Sequence, residues 1–116
     1  MHEMSVALSI VEAAEARARR EGSGVISEIA LVVGRLAGVV PDALRFCFPA
    51  ASRGTLAEDA VLVIEEREGR GVCVSCGASF AVSFHVAECP ECRSLAVRVV
   101  SGDEFIIESI TIEEGE

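Results

Sequence analysis

Two Cys-x-x-Cys pairs constrain this chain more than anything else in it. Cys73-Val74-Ser75-Cys76 is followed, after twelve residues, by Cys89-Pro90-Glu91-Cys92. Four thiols at that spacing match a tetrahedral zinc site of the ribbon type, because each short pair can aim both sulfurs at one ion. Gly77 after the first pair and Pro90 inside the second suit the tight turns required. Two disulfides, or four unrelated buried thiols, are the alternatives. A redox Cys-x-x-Cys normally occurs once, at a helix start, so the matched pairs favour metal. Four protein ligands leave no position for a water, so such a site supplies folding energy rather than catalysis.

Size makes a metal staple useful. In 116 residues there are five Phe, no Trp and no Tyr, so the core must come from Ala, Val, Leu and Ile. The formal net charge of -9 disfavours nucleic acid and anionic membrane as partners and suits cations or a basic surface. Five Cys, four of them in metal spacing, imply a reducing compartment. No leader pattern and no membrane-length apolar run is present, so the expected location is cytoplasmic.

Taken as the start of the chain, Met1-His2-Glu3 has chemistry of its own. The Met1 amine, the His2 backbone nitrogen and His2 Nδ1 can close a five-membered and a six-membered chelate ring. Three coplanar nitrogens with a fourth position open suit Ni(II) or Cu(II). The bland alternative is an exposed His at a frayed end. Ser5 to about Glu21 reads as a helix, with Met4, Leu8, Val11 and Ala14, joined by Ala7 and Ala18, as its buried stripe. Val25–Val33 reads as a central strand, apolar on both faces. Gly34 and Gly38 frame a turn, and no phosphate loop follows.

Pro41 and Asp42 open a second helix. Leu44, Phe48 and Ala51 form its stripe, Cys47 is a small core residue, and Pro49 should kink or loosen its last turn. A strand follows at 61–66, then the metal module, in which Phe80, Val82 and Phe84 alternate as a short strand. His85 lies outside a shell already filled by four Cys. A last strand covers 105–112, ahead of the acidic tail Glu113-Glu114-Gly115-Glu116. The predicted fold is α+β: two helices on a three-stranded mixed sheet, with the zinc ribbon inserted before the last strand. The expected division is 1–69 plus 102–116 against 70–101.

Several short segments combine into a pattern: Met1-His2-Glu3 with Ser5, Val33-Gly34-Arg35-Leu36-Ala37-Gly38-Val39, Pro41-Asp42-Ala43-Leu44-Arg45-Phe46, Gly54-Thr55-Leu56-Ala57, the two Cys pairs, and Ser101-Gly102. Together they resemble the HypA/HybF family over nearly the whole length. The resemblance implies a nickel metallochaperone, not an enzyme, that helps insert Ni(II) into [NiFe]-hydrogenase and in some bacteria into urease. It implies as partners the GTPase HypB, the hydrogenase large subunit or its maturation complex, and urease accessory proteins. Carried onto this chain, His2 with Met1 holds nickel, Glu3 contacts a partner, and Cys73, Cys76, Cys89 and Cys92 hold zinc. Relatives can complete the nickel shell with a carboxylate just before the second helix, where Val40 stands here and Asp42 follows. Many relatives carry His beside the Cys pairs; here Ser75 and Arg93 stand there, and His85 is the only ribbon His. A zinc-ribbon adaptor for protein or nucleic acid, without a nickel role, is the main rival, and a zinc enzyme a weaker one.

Overall fold

A computed structural model of the chain describes residues 3–22 and 24–113. The order of elements is α1 (Glu3–Arg20), β1 (Val25–Gly34), α2 (Pro41–Ser52), β2 (Val61–Arg67), β3 (Arg70–Cys73), β4 (Ser79–Ala81), β5 (Val97–Ser101) and β6 (Phe105–Glu113). Three strands form a sheet in the order β2-β1-β6, with β1 central as its two apolar faces require. The sheet is mixed. Arg35 N donates to Arg67 O at matching strand ends, which sets β1 parallel to β2. Gly34 N donates to Glu104 O, and Ser27 Oγ to Thr111 O, which sets β6 antiparallel to β1. A parallel pair needs a crossover, and α2 supplies it.

The chain divides into two units. The first comprises 1–31, 39–65 and 106–116. Its core is aliphatic apart from one Phe: Ile10, Val11, Ala14 and Ala18 of α1, Ile29 and Leu31 of β1, and Leu44, Phe48 and Ala51 of α2. The expected stripe of α1 is corrected here. Val6 and Ile10 are buried, Leu8 is exposed and Met4 half-buried. The helix is apolar around most of its circumference, so several stripes fit its sequence equally well. Gly22, at φ 103°, ends α1 with its N–H on Arg19 O, a left-handed stop that suits glycine. Pro41 takes the first position of α2, where no N–H is needed, and Leu44 N closes the first turn on Val40 O. The helix continues through Pro49 to Ser52. Cys47, expected in the core, is half-buried.

The second unit comprises 32–38 and 66–105. It contains the expected ribbon, 70–101, together with flanking residues and the turn at 32–38. The added turn belongs because Leu36 N donates to Gly102 O, and a Cβ on Gly34 would strike the Gly102 carbonyl. A second sheet, β4-β3-β5, is antiparallel throughout. Val100 is the extra residue of a bulge, since Gly71 faces Val99 while Arg70 faces Ser101. The strand expected over Phe80, Val82 and Phe84 ends at Ala81. Val82 N turns instead to Gly69 O, and Phe84 is exposed.

Candidate metal centre

The two Cys pairs are held by the same backbone turn, used twice. In the first, Gly77 N donates to Cys73 O at 2.8 Å and Cys73 N to Ala78 O at 2.9 Å. In the second, Arg93 N donates to Cys89 O at 2.8 Å and Cys89 N to Ser94 O at 2.9 Å. Each turn requires a left-handed residue after its second Cys: Gly77 at φ 79° and Arg93 at φ 64°. Glycine takes that conformation freely and arginine does not. The Ser75 and Ser94 hydroxyls lie 3.2 Å apart and tie one turn to the other.

These turns bring four sulfurs together. Cys73 Sγ lies 3.5 Å from Cys92 Sγ, Cys76 Sγ lies 3.6 Å from Cys89 Sγ, and all four fall within 4.8 Å of one another. Disulfides are excluded at these separations, and all four Cys are free. A tetrahedral zinc with Zn–S of about 2.3 Å has S···S edges of roughly 3.8 Å, so the donor set fits that ion. Cys73 and Cys89 are buried while Cys76 and Cys92 are exposed, so the centre has an inner and an outer side.

The electrostatics also call for a cation. The backbone N–H of Cys76 draws the Cys73 thiol down to about 6, against its burial, with the Cys92 thiol and the Ser75 N–H helping. The Ala78 N–H pulls Cys76 the same way. There the neighbouring Cys89, burial and the other two sulfurs prevail and push it up to about 12. Cys92 is also raised: the Ser94 N–H lowers it, but Cys73 and burial outweigh that. A thiolate is favoured at Cys73 and disfavoured at Cys76 and Cys92, unless a divalent cation sits between the sulfurs. Zinc, when bound there, clamps the two turns together with a filled shell. Among the described residues no other group of His, Cys, Asp or Glu is gathered to hold a metal.

The remaining site residues separate from this centre. Met1 and His2 lie outside the described residues. Glu3 is the first residue of α1 and is half-buried. Asp42, in the first turn of α2, is exposed and accepts from Arg45 Nη1 at 2.9 Å. His85 is not a ligand of the tetrad; its Nε2 meets Asp103 Oδ1 at 2.6 Å, with both side chains more than half exposed. That partner was not foreseen, and neither was the Ser75–Ser94 bridge. Matching the two Cys pairs residue by residue would have exposed the Gly77–Arg93 correspondence.

The family model described as "Hydrogenase/urease nickel incorporation, metallochaperone, hypA" matches residues 1–112. The chain belongs to the HypA family. The hydrogenase maturation factor HypA of Chlorobium limicola is 66% identical over 116 residues, covering all of both chains. That of Geobacter metallireducens is 46% identical over 113 residues, 97% of this chain and 100% of its own. The solution structure of the Ni metallochaperone HypA from Helicobacter pylori superposes with a TM-score of 0.70 at 22% identity, covering 99% of this chain and 100% of that one. A second HypA solution structure gives a TM-score of 0.71 at 23% identity. The predicted HypA-type α+β fold is therefore the observed one. Among the described residues, no helix is long and apolar enough to cross a membrane.

Proposed function

We propose that this protein binds Ni(II) at its N-terminus and delivers it during [NiFe]-hydrogenase maturation, with the four-cysteine ribbon as a separate structural zinc site. One observation carries the reading: the family match, to a model described by nickel incorporation, begins at Met1 and runs through both Cys pairs. The nickel donors are the Met1 amine, the His2 backbone nitrogen and His2 Nδ1, with Glu3 and Asp42 as further shell or partner-contact residues. A terminal chelate with one position open passes its ion on by ligand exchange. The tetrad holds zinc and keeps its ion. We assign nickel binding to 1–69 plus 102–116 and the ribbon to 70–101. The partners are the GTPase HypB and the hydrogenase large subunit or its maturation complex, with urease accessory proteins as a second destination. The setting is cytoplasmic, the protein has no catalytic residues, and neither nucleic acid nor membrane is a partner.

Proton competition gives the test. Imidazole (free pKa roughly 6.5) and the terminal amine (about 7.7 to 8.0) must both lose protons to bind, so nickel affinity should fall as pH drops through about 7 to 6. His2→Ala should abolish that affinity while leaving zinc content and the far-ultraviolet dichroism unchanged. An affinity that stays flat from pH 8 to 5.5, or zinc lost from His2→Ala, would sink the assignment.

A further inference from the structure

The helices and the metal centre leave one large feature unused: the face of the β2-β1-β6 sheet that presents the outward residues of its strands. Ile29 and Leu31 of β1 are buried, while Glu28 and Ala30, which alternate with them, are half-exposed. In β2, Leu62 and Ile64 are half-buried while Val61 and Val63 are 60% and 44% exposed. In β6, Ile106 is 50% exposed and Glu108 is exposed beyond it. The alternation slips by one residue at Glu108–Ser109, after which Thr111 and Glu113 are the exposed pair. The result is a face of aliphatic side chains interleaved with carboxylates, all of it within the first unit.

We infer that this face docks a basic amphipathic helix of a partner protein. Charge and width carry the inference. Within the first unit these strands carry Glu28, Glu65, Glu108 and Glu113 and no Arg, the one Arg of β2, Arg67, lying beyond that unit at the strand's end, and the chain has no Lys at all. Apolar surface set among acids is complementary to Lys or Arg spaced among Leu-like residues. A second copy of this chain would bring Glu28 and Glu108 against like charges, and nucleic acid or anionic lipid would be repelled outright. Three strands about 4.8 Å apart span roughly 10 Å between their outer axes, the width of one α-helix. The seven residues 25–31 of β1 run about 23 Å, the length of roughly 15 helical residues. This surface is independent of nickel, so its test omits the metal cargo.

The probe is a synthetic 15-residue Leu/Lys amphipathic peptide, titrated into zinc-loaded, isotope-labelled full-length protein while amide resonances are followed. A Leu/Glu peptide of the same pattern is the control. The expected result is shifts confined to 28–30, 61–65 and 106–113, no response to the Leu/Glu peptide, and binding at least about tenfold weaker in Glu28→Arg/Glu108→Arg. Unchanged dichroism and zinc content qualify that variant as folded, and Val63→Ser, which keeps every charge, should weaken binding by a smaller factor. Shifts centred on α1, α2 or the ribbon would overturn the inference. So would equal binding of both peptides, or a sedimenting dimer whose interface maps to this face and names a second copy as the occupant.

Discussion

The two units hold themselves together by different means. The first buries a layer of Ile, Val, Leu and Ala drawn from two helices and a sheet. In the second, the buried hydrophobic residues are Val32, Val33, Leu36, Val82 and the two inner thiols Cys73 and Cys89. So few apolar side chains cannot offset the entropy of ordering that many residues. The ribbon substitutes a metal clamp, duplicated backbone turns and glycine-to-backbone contact at Gly34, Gly69 and Gly102. A hydrophobic core degrades gradually under substitution, whereas a metal-clamped unit depends on four atoms.

The sharpest break of that comparison is zinc removal. Structural zinc in small ribbons is worth on the order of 10 kcal/mol or more. Chelation, or Cys89→Ser, should therefore erase the dispersed amide signals of β3, β4 and β5 while most helical dichroism persists. Loss of the helices at the same chelator concentration would show one cooperative unit rather than two. The reciprocal change is Leu44→Ala, at a fully buried position of α2. It should lower stability by about 2–5 kcal/mol, read in denaturant, without altering zinc affinity.

A smaller effect is expected at Gly102. Its φ is 108°, and a Cβ there would lie 2.5 Å from the Gly69 Cα. Gly102→Ala should cost the ribbon about 2–3 kcal/mol, measured as earlier zinc release on heating. Smallest, and opposite in sign, is Arg93→Gly. Placing in the second turn the residue the first already has should stabilise the zinc-loaded ribbon by about 0.5–1 kcal/mol. A destabilised Arg93→Gly would mean that the arginine side chain supports the turn in a way the backbone geometry does not reveal.

What was legible in the sequence followed the same divide. The tetrad, the two helices and the three strands of the main sheet could all be read, because ligand spacing and long periodic segments are strong local signals. Strands β3 and β5 were missed. They are four and five residues long, one carries Gly71, one carries a bulge, and their pairing is set by the turns between them. The buried face of α1 was misjudged because Val6, Leu8 and Ile10 are equally apolar and only the packing chooses among them. The His85–Asp103 pair joins residues 18 apart in sequence through a loop with no periodicity, so no local pattern announces it. Met1 and His2, expected as nickel donors from chelate chemistry and from the family resemblance, fall outside the described residues.

The claim that two metals occupy two separate sites is tested most directly by nickel titration calorimetry on zinc-loaded protein. The native start should be run beside a version carrying one additional N-terminal Gly. The extension keeps every side chain but moves the free amine one residue away from His2. The account predicts one tightly bound nickel on the native chain, much weaker binding on the extended one, and zinc retained by both. Equal nickel affinity in the two, or nickel that displaces zinc from the tetrad, would contradict it.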